Sequence, residues 1–191
     1  MKTRPAILAS ASPRRQDLLR RAGFSFQVFV PEVEEIVRAG AFYRETALAN
    51  ALLKAERAAE SFPDAVVIGA DTVIELDGEI LGKPRDEEDA FRMLRMLSGR
   101  THEVVTGVAV LVKSENIRIR FADVTKVTFK NLPDEVIRTY LDRVHVLDKA
   151  GAYGIQEQGD LLLERMEGSL NNVIGLPVER LSETLRLNEL A

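Results

Sequence analysis

Ala65-Val66-Val67-Ile68-Gly69-Ala70-Asp71-Thr72-Val73-Ile74 is the strongest strand signal in the chain. It is apolar on both faces except at its centre, where a carboxylate and a hydroxyl interrupt it. Downstream, Asp77-Gly78 is a hairpin signal and the chain returns through Ile80-Leu81. Pro84 precedes an acidic first turn, Asp86–Asp89, and a helix running to Leu97. His102–Val112 and Ile117–Phe129 read as two long strands joined at Ser114-Glu115-Asn116, and Pro133 opens a helix to about Arg143. Leu161–Met166 reads as a strand, and Leu176–Leu187, after Gly175, as a last helix.

Upstream, alanines and leucines at 47, 48, 51, 52, 55, 58 and 59 fall on one arc of a helix from about Glu45 to Glu60, with Lys54 at its edge. Phe24, Phe26, Val28 and Val30 alternate, predicting a strand over Phe24–Val30 with one buried face. Pro5–Ser10 reads as a short buried strand. Ser12-Pro13 then places an N-cap before Pro at the first helical position, Gly23 closes that helix, and Leu18, Leu19 and Ala22 give it a narrow apolar stripe. Strand and helix signals intermix throughout, with no repeat or linker. That predicts one α/β domain over residues 1–191 built on a mixed sheet.

Composition narrows the function. The chain has 191 residues, 46% of them hydrophobic, enough for one ordinary core or two small lobes sharing a sheet. Its formal net charge is -4, which argues against a protein that wraps duplex nucleic acid. With no Cys, disulfides and thiolate zinc sites are excluded, and two histidines make a histidine-rich metal site a poor reading. After Lys2 and Arg4, the apolar run Ala6–Ala9 is too short for a signal peptide, and no run nears a membrane span, so the expectation is cytoplasmic.

Four segments carry chemistry. Ser10-Ala-Ser12-Pro-Arg14-Arg15 lies between a strand and a helix start, where free N–H groups and the positive end of the peptide dipoles favour an anion. Cations in a first turn are disfavoured by ~0.3–1 kcal/mol each. A bound phosphate reverses that penalty, although Ser-Pro alone is equally an ordinary N-cap. Asp71 is a general base or metal ligand if its strand continues, and a turn cap if the strand ends at Ala70. Gly82-Lys83-Pro84-Arg85 aims Lys83 from a restricted backbone, though a solvated loop lysine is an even reading, and Lys54, at a helix edge, is of the kind that usually snorkels to water. Asp148-Lys-Ala-Gly-Ala-Tyr-Gly-Ile-Gln156 offers small residues for close ligand approach and, in Gln156, a donor and an acceptor suited to one base edge. Glu34 and Glu35 are candidate metal ligands in a loop.

These residues, in this order, resemble the Maf family of nucleoside triphosphate pyrophosphatases. The matching pieces are Leu8–Arg15, Glu32–Glu35, Lys54-Ala55, Gly69–Thr72, Leu81–Pro84, Leu97–His102, Asp148–Gln156 and Gly175–Pro177, spread over nearly the whole chain. The resemblance implies an elongated α/β fold with two lobes around a central cleft, often dimeric. It implies hydrolysis of a nucleoside triphosphate to monophosphate and pyrophosphate with a divalent cation, Mg2+ or Mn2+. Carried over residue by residue, it implies Asp71 as proton acceptor, and Arg14, Thr72 and Gln156 as specificity positions. Ser10, Arg15, Glu34, Lys54 and Lys83 would lie on the phosphate and metal side, with Glu34 and Asp71 toward the metal and Ser12 beside the substrate. The Ala-Tyr-Gly-Ile-Gln run looks like the branch acting on dTTP and UTP. Glu157 stands where that branch usually has Gly, an extra carboxylate near the base site.

The chemistry agrees with that reading. A uracil or thymine edge shows acceptor, donor, acceptor, and the Gln156 amide can pair with two adjacent members. Attack at the α-phosphorus needs a water activated by a base and a stabilised pyrophosphate leaving group. The same pocket would also serve a non-catalytic nucleotide sensor controlling a partner, as in a cell-division checkpoint. Turnover separates the two.

Overall fold

The structure, a computed structural model, describes residues 4–36 and 42–190. Lys2 and the outer ends of the expected domain lie outside them. Strand β1 covers Ala6–Ala9, β2 Gln27–Phe29, β3 Val66–Leu76, β4 Glu79–Leu81, β5 Thr101–Val112, β6 Ile117–Phe129 and β7 Leu163–Glu167. They form one mixed sheet in the order β2-β1-β3-β5-β6-β7, with β4 also on β3. β2, β1 and β3 run parallel, and every other pairing is antiparallel. Among the described residues six α-helices flank the sheet: α1 Pro13–Arg21, α2 Tyr43–Ser61, α3 Glu87–Leu97, α4 Asp134–Arg143, α5 Leu170–Ile174 and α6 Val178–Leu187.

One edge of β3 is interrupted. β1 pairs with Val66–Gly69, and β4, returning through a turn whose Asp77 and Gly78 both have positive φ, pairs with Ile74–Leu76. Ala70–Val73 therefore have no strand on that side among the described residues, while β5 runs unbroken along the other from Val67 to Glu75. Asp71 lies inside a strand, and the reading in which it caps a turn is set aside.

β3, β5 and β6 are long enough to serve two cores. Val66, Ile68 and Ala70 of β3 pack with Leu18, Leu19 and Leu181 under α1 and α6. Ile74 and Leu76, farther along the same face, pack with Leu94, Leu97, Ile137 and Tyr140 under α3 and α4. On the opposite face, Val67 lies under the alanines of α2. Asp71 and Thr72 fall between the two cores, and the cleft opens there.

Three details depart from expectation. Of Phe24–Val30 only Gln27–Phe29 is strand. β2 lies at the sheet's edge with packed layers on both sides. Phe24 and Phe26 join the core under α1, Phe29 packs edge-on to Phe62 beside α2, and Val28 and Val30 are 42% and 57% exposed. Ala22 is exposed, so the stripe of α1 is Leu18 and Leu19 alone. The last helix is found as α6 but starts only after Pro177, and a short helix that was not expected, α5, precedes it, capped by Ser169 and ended by Gly175 at φ +131.

α2 approaches the sheet closely because glycines face alanines. A Cβ on Gly69 would stand 2.2 Å from the Ala51 carbonyl oxygen, and one on Gly107 would stand 2.4 Å from that of Ala47. Backbone cannot yield as a flexible side chain can, so Gly69→Ala must lift the helix. Urea denaturation is expected to show about 3 kcal/mol of lost stability, the upper end of overpacking costs. A loss below about 1 kcal/mol would mean the helix has room to give.

Candidate active site

The cleft at the break in β3 has a volume of about 590 Å3, within the ~300–1,000 Å3 typical of small-molecule sites. Successive strand residues point to opposite faces, yet here both faces reach one cleft because the strand edge between them is open. Asp71, 7% exposed, turns toward α2, and Thr72 turns toward α1 and α5.

On the α2 side, Lys54 and Asn50 lie one turn apart on the alanine face. Lys54 Nζ donates to Asp71 Oδ1 at 2.8 Å and reaches Glu35 Oε1 at 2.7 Å. Asn50 Nδ2 donates to Asp71 Oδ2 at 3.1 Å. The same amide holds the loop ahead of α2, donating to the Ile36 carbonyl and accepting from the Ile36 N–H. Burial by itself raises the Glu35 carboxyl, but the Lys54 hydrogen bond and the charges of Lys54, Lys83 and Arg15 outweigh it and hold the group below its usual value.

On the other side, Ser12 caps α1 and its Oγ accepts the Arg15 N–H. The Arg15 guanidinium is clamped by three acceptors. Nε donates to the Gly175 carbonyl at 2.8 Å, Nη1 to Ser10 Oγ at 3.1 Å and Nη2 to Thr72 Oγ1 at 3.1 Å. Its remaining N–H groups are available to an anion. Burial pulls its pKa down, with Asp71 acting in the opposite direction. Arg14 meets Asp148 at 2.8 Å. The first-turn penalty expected of these arginines is therefore partly offset within the chain itself.

All the residues expected at the site except Glu34 line this cleft: Ser10, Ser12, Arg14, Arg15, Lys54, Asp71, Thr72, Lys83 and Gln156. Lys54 is buried and paired, not solvated. Thr72 is joined by hydrogen bonds to Arg15 and to Thr106 (2.9 Å). Glu34 does not line the cleft: of this loop Val30, Pro31, Val33, Glu35 and Ile36 do, and of its three glutamates only Glu35 does. Asn50 is the site residue that sequence reasoning missed. Its signal is a polar residue four positions before Lys54, in an arc that otherwise demands alanine.

Among the described residues no group of three His, Cys, Asp or Glu could hold a metal. Asp71 and Glu35 nonetheless already flank a cation, the Lys54 ammonium. Two carboxylates suffice for Mg2+ or Mn2+ when substrate phosphates complete the coordination. The donor set thus fits a metal that arrives with the nucleotide.

The sequence model of the family described as Maf-like protein matches residues 5–188. The chain belongs to the Maf family. Among curated Maf relatives, one from Carboxydothermus hydrogenoformans is 48% identical over 94% of this chain and 96% of its own. One from Akkermansia muciniphila is 46% identical over 95% of each, and one from Bacillus cereus is 44% identical over 96% of this chain and 95% of its own. Each of the three is named dTTP/UTP pyrophosphatase. Among solved structures, the Staphylococcus aureus Ham1 protein aligns over 97% of this chain and 100% of its own, with a TM-score of 0.56 at 19% identity. A HAM1 protein from Coxiella burnetii gives 0.51 at 16% identity over 96% and 99%. These two show the fold alone.

In the Maf chain the segment with Gln156 is pinned from beneath. Gly151 N donates to the Gly82 carbonyl at 2.9 Å, tying the segment to the turn that carries Lys83. The Tyr140 hydroxyl accepts the Gly154 N–H at 2.9 Å. Tyr153 meets His102 Nε2 at 2.8 Å, with Phe129 edge-on to both rings. Burial lowers the His102 pKa to about 4, because the charged ring has lost its water. Its unfolded value, near 6.5, is higher, so the unfolded chain takes up the proton first as pH falls. Stability from this group is present above pH ~6.5 and lost between ~6.5 and ~4, on the order of 3 kcal/mol. In urea denaturation from pH 7 to 4, wild type should lose that much more than His102→Gln, which keeps a hydrogen bond to Tyr153 but does not titrate. A constant difference across the range would sink the prediction.

Proposed function

We propose that this cleft hydrolyses dTTP and UTP to the monophosphate and pyrophosphate. The observation that carries the reading is one carboxylate, Asp71, buried in mid-strand and paired with Lys54, in a cleft that Arg15 and Lys83 also line. A cleft that only stored an anion would have no use for a buried negative charge at its centre.

Asp71 has lone pairs beyond those used by Lys54 and Asn50, and one accepts the proton of a water aimed at the α-phosphorus. The new P–O bond forms as the α–β anhydride bond breaks, and pyrophosphate leaves carrying the negative charge. Arg15, held by three acceptors, is preorganised to meet that charge as it develops. Lys54 and Lys83 stand on the other flank. Asp71 and Glu35 would hold the divalent cation, Mg2+ or Mn2+, which supplies charge to the leaving group and acidity to the water. Gln156 pairs with the base, with Arg14 nearby on the rim.

Among the described residues no helix is long and apolar enough to cross a membrane. The proposed setting is the cytoplasm, where the chain acts as one domain over residues 1–191 on the free nucleotide pool. The homodimer implied by the resemblance is tested by mass in solution. Incubation with Mg2+ and, separately, dTTP, UTP, CTP and 7-methyl-GTP, with 31P NMR of the products, tests the reaction. The expected result is pyrophosphate from dTTP and UTP foremost. Tight binding without turnover of any triphosphate would leave a nucleotide sensor in its place.

A further inference from the structure

We propose that Thr106 is a positioning residue for the reaction: through Thr72 it sets the hydrogen bonding that orients the Arg15 guanidinium for the pyrophosphate leaving group. The inference rests on the pyrophosphatase reading above. Thr106 lies directly opposite Thr72 in the β3–β5 ladder and is fully buried. Its hydroxyl donates to the Asn172 carbonyl, in α5, at 3.2 Å. A carbonyl can only accept, and a hydroxyl carries one proton. In the 2.9 Å contact between the two threonines the donor is therefore Thr72. With its proton spent there, Thr72 Oγ1 presents only lone pairs to Arg15 Nη2, 3.1 Å away. The bonds run in one direction, from Arg15 to Thr72 to Thr106 to α5.

Packing alone does not call for a hydroxyl at this position. The neighbouring cross-strand pairs on the same face are Ala70 with Val108 and Ile74 with Val104, so a valine of nearly the same shape would continue the row. Nor is Thr106 needed to hold α5 to the sheet. Asn172 Nδ2 donates to the Val104 carbonyl and to Thr125 Oγ1, each at 3.0 Å, and Thr125 Oγ1 donates to the Ser169 carbonyl at 3.1 Å. What the hydroxyl adds is an acceptor for Thr72. Without it the Thr72 proton is left with the Gly175 carbonyl at 3.4 Å, the oxygen that Arg15 Nε already uses at 2.8 Å. A methyl group standing where the hydroxyl stands, 2.9 Å from Thr72 Oγ1, would also be closer than carbon and oxygen ordinarily approach. Thr72 must then turn or shift, and two of the three acceptors of Arg15 are disturbed together.

The test is pyrophosphate release from dTTP beside calorimetric binding of its α,β-imido analogue. Thr106→Val is expected to lower kcat about tenfold, less than the ~100-fold that a misplacement of about 1 Å can cost. The analogue's Kd should change less than about twofold, because the analogue never develops the charge of the leaving group. Thr106→Ser, which keeps the hydroxyl, should retain most of the rate. In a Thr72→Val background Thr106→Val should cost nothing further, whereas sites that act independently lose rate additively. Thr106→Val should melt with wild type, and if it folds poorly Thr106→Ala takes its place in each comparison. A wild-type kcat in Thr106→Val, an equal loss in Thr106→Ser, a Kd that weakens as much as kcat falls, or additive losses in the double variant overturns the proposal. Failure of wild type to release pyrophosphate overturns the pyrophosphatase reading instead. Thr106 is then judged by NMR from the exchange of the Arg15 Nε–H with water, expected to be slow in wild type and faster in Thr106→Val, with equal rates overturning its role.

Discussion

Asp71→Asn is expected to lower the rate of pyrophosphate release from dTTP by about 10^3-fold, the middle of the range for loss of a positioned general base. Binding should move the other way. The substrate is a polyanion, and the substitution removes a buried negative charge from the cleft, so a non-hydrolysable analogue should bind as tightly as before or more tightly. The exchange is nearly isosteric, but its hydrogen bonding is not neutral. Asn50 is committed to Ile36 through its oxygen and one N–H. If the new amide turns its oxygen to Lys54, its NH2 faces the NH2 of Asn50. A modest fall in stability, about 1–3 kcal/mol for one unsatisfied buried group, should accompany the loss of rate. The measurement is kcat beside the analogue's Kd. Release at the wild-type rate would remove Asp71 as the base.

Lys54→Met is expected to cost both activity and fold. The lysine is the cation between Asp71 and Glu35, and removing one partner of a buried pair typically costs about 3–5 kcal/mol. The lower end is appropriate here because Glu35 is half exposed and screened by water. The sign with pH is fixed by the carboxylates. Glu35 has its folded pKa depressed, so its share of the stability is present above the unfolded carboxylate value and is lost as pH falls through the folded one. The gap between wild type and variant in urea denaturation should therefore be widest near neutrality and narrow in acid. Adding Asp71→Asn to Lys54→Met should restore part of the stability, because the uncompensated charge is gone. A double variant no more stable than the single would show that the lysine acts through packing of its stem.

What sequence could disclose depended on how local each cause was. The β3 strand, the Asp77-Gly78 turn, the Ser12 cap and the small-residue face of α2 are written in neighbouring residues, and all were legible. β2 was misread because alternation reports one buried face, while Phe24 and Phe29 bury opposite ones. Glu34 was placed at the site where Glu35 stands, since adjacent glutamates in a loop give no local sign of which one turns inward. Asn50 and Lys149 were hidden for a different reason. Asn50 matters through Asp71, 21 residues on, and Lys149 through side chains across a tight loop, and composition says nothing of such pairings. His102 looked like an ordinary strand residue until Tyr153 was set against it.

The long strands shared by both cores also determine the mechanical compliance of the molecule. A hinge needs a few residues free to change φ and ψ, but β3, β5 and β6 cross from one lobe to the other within continuous ladders. Swinging the lobes apart would mean breaking those ladders. Any adjustment around a nucleotide therefore falls to segments outside the ladders, such as residues 30–36 and the turn from Asp148 to Glu157, while Asp71 and Thr72 stay paired to β5 within its unbroken ladder.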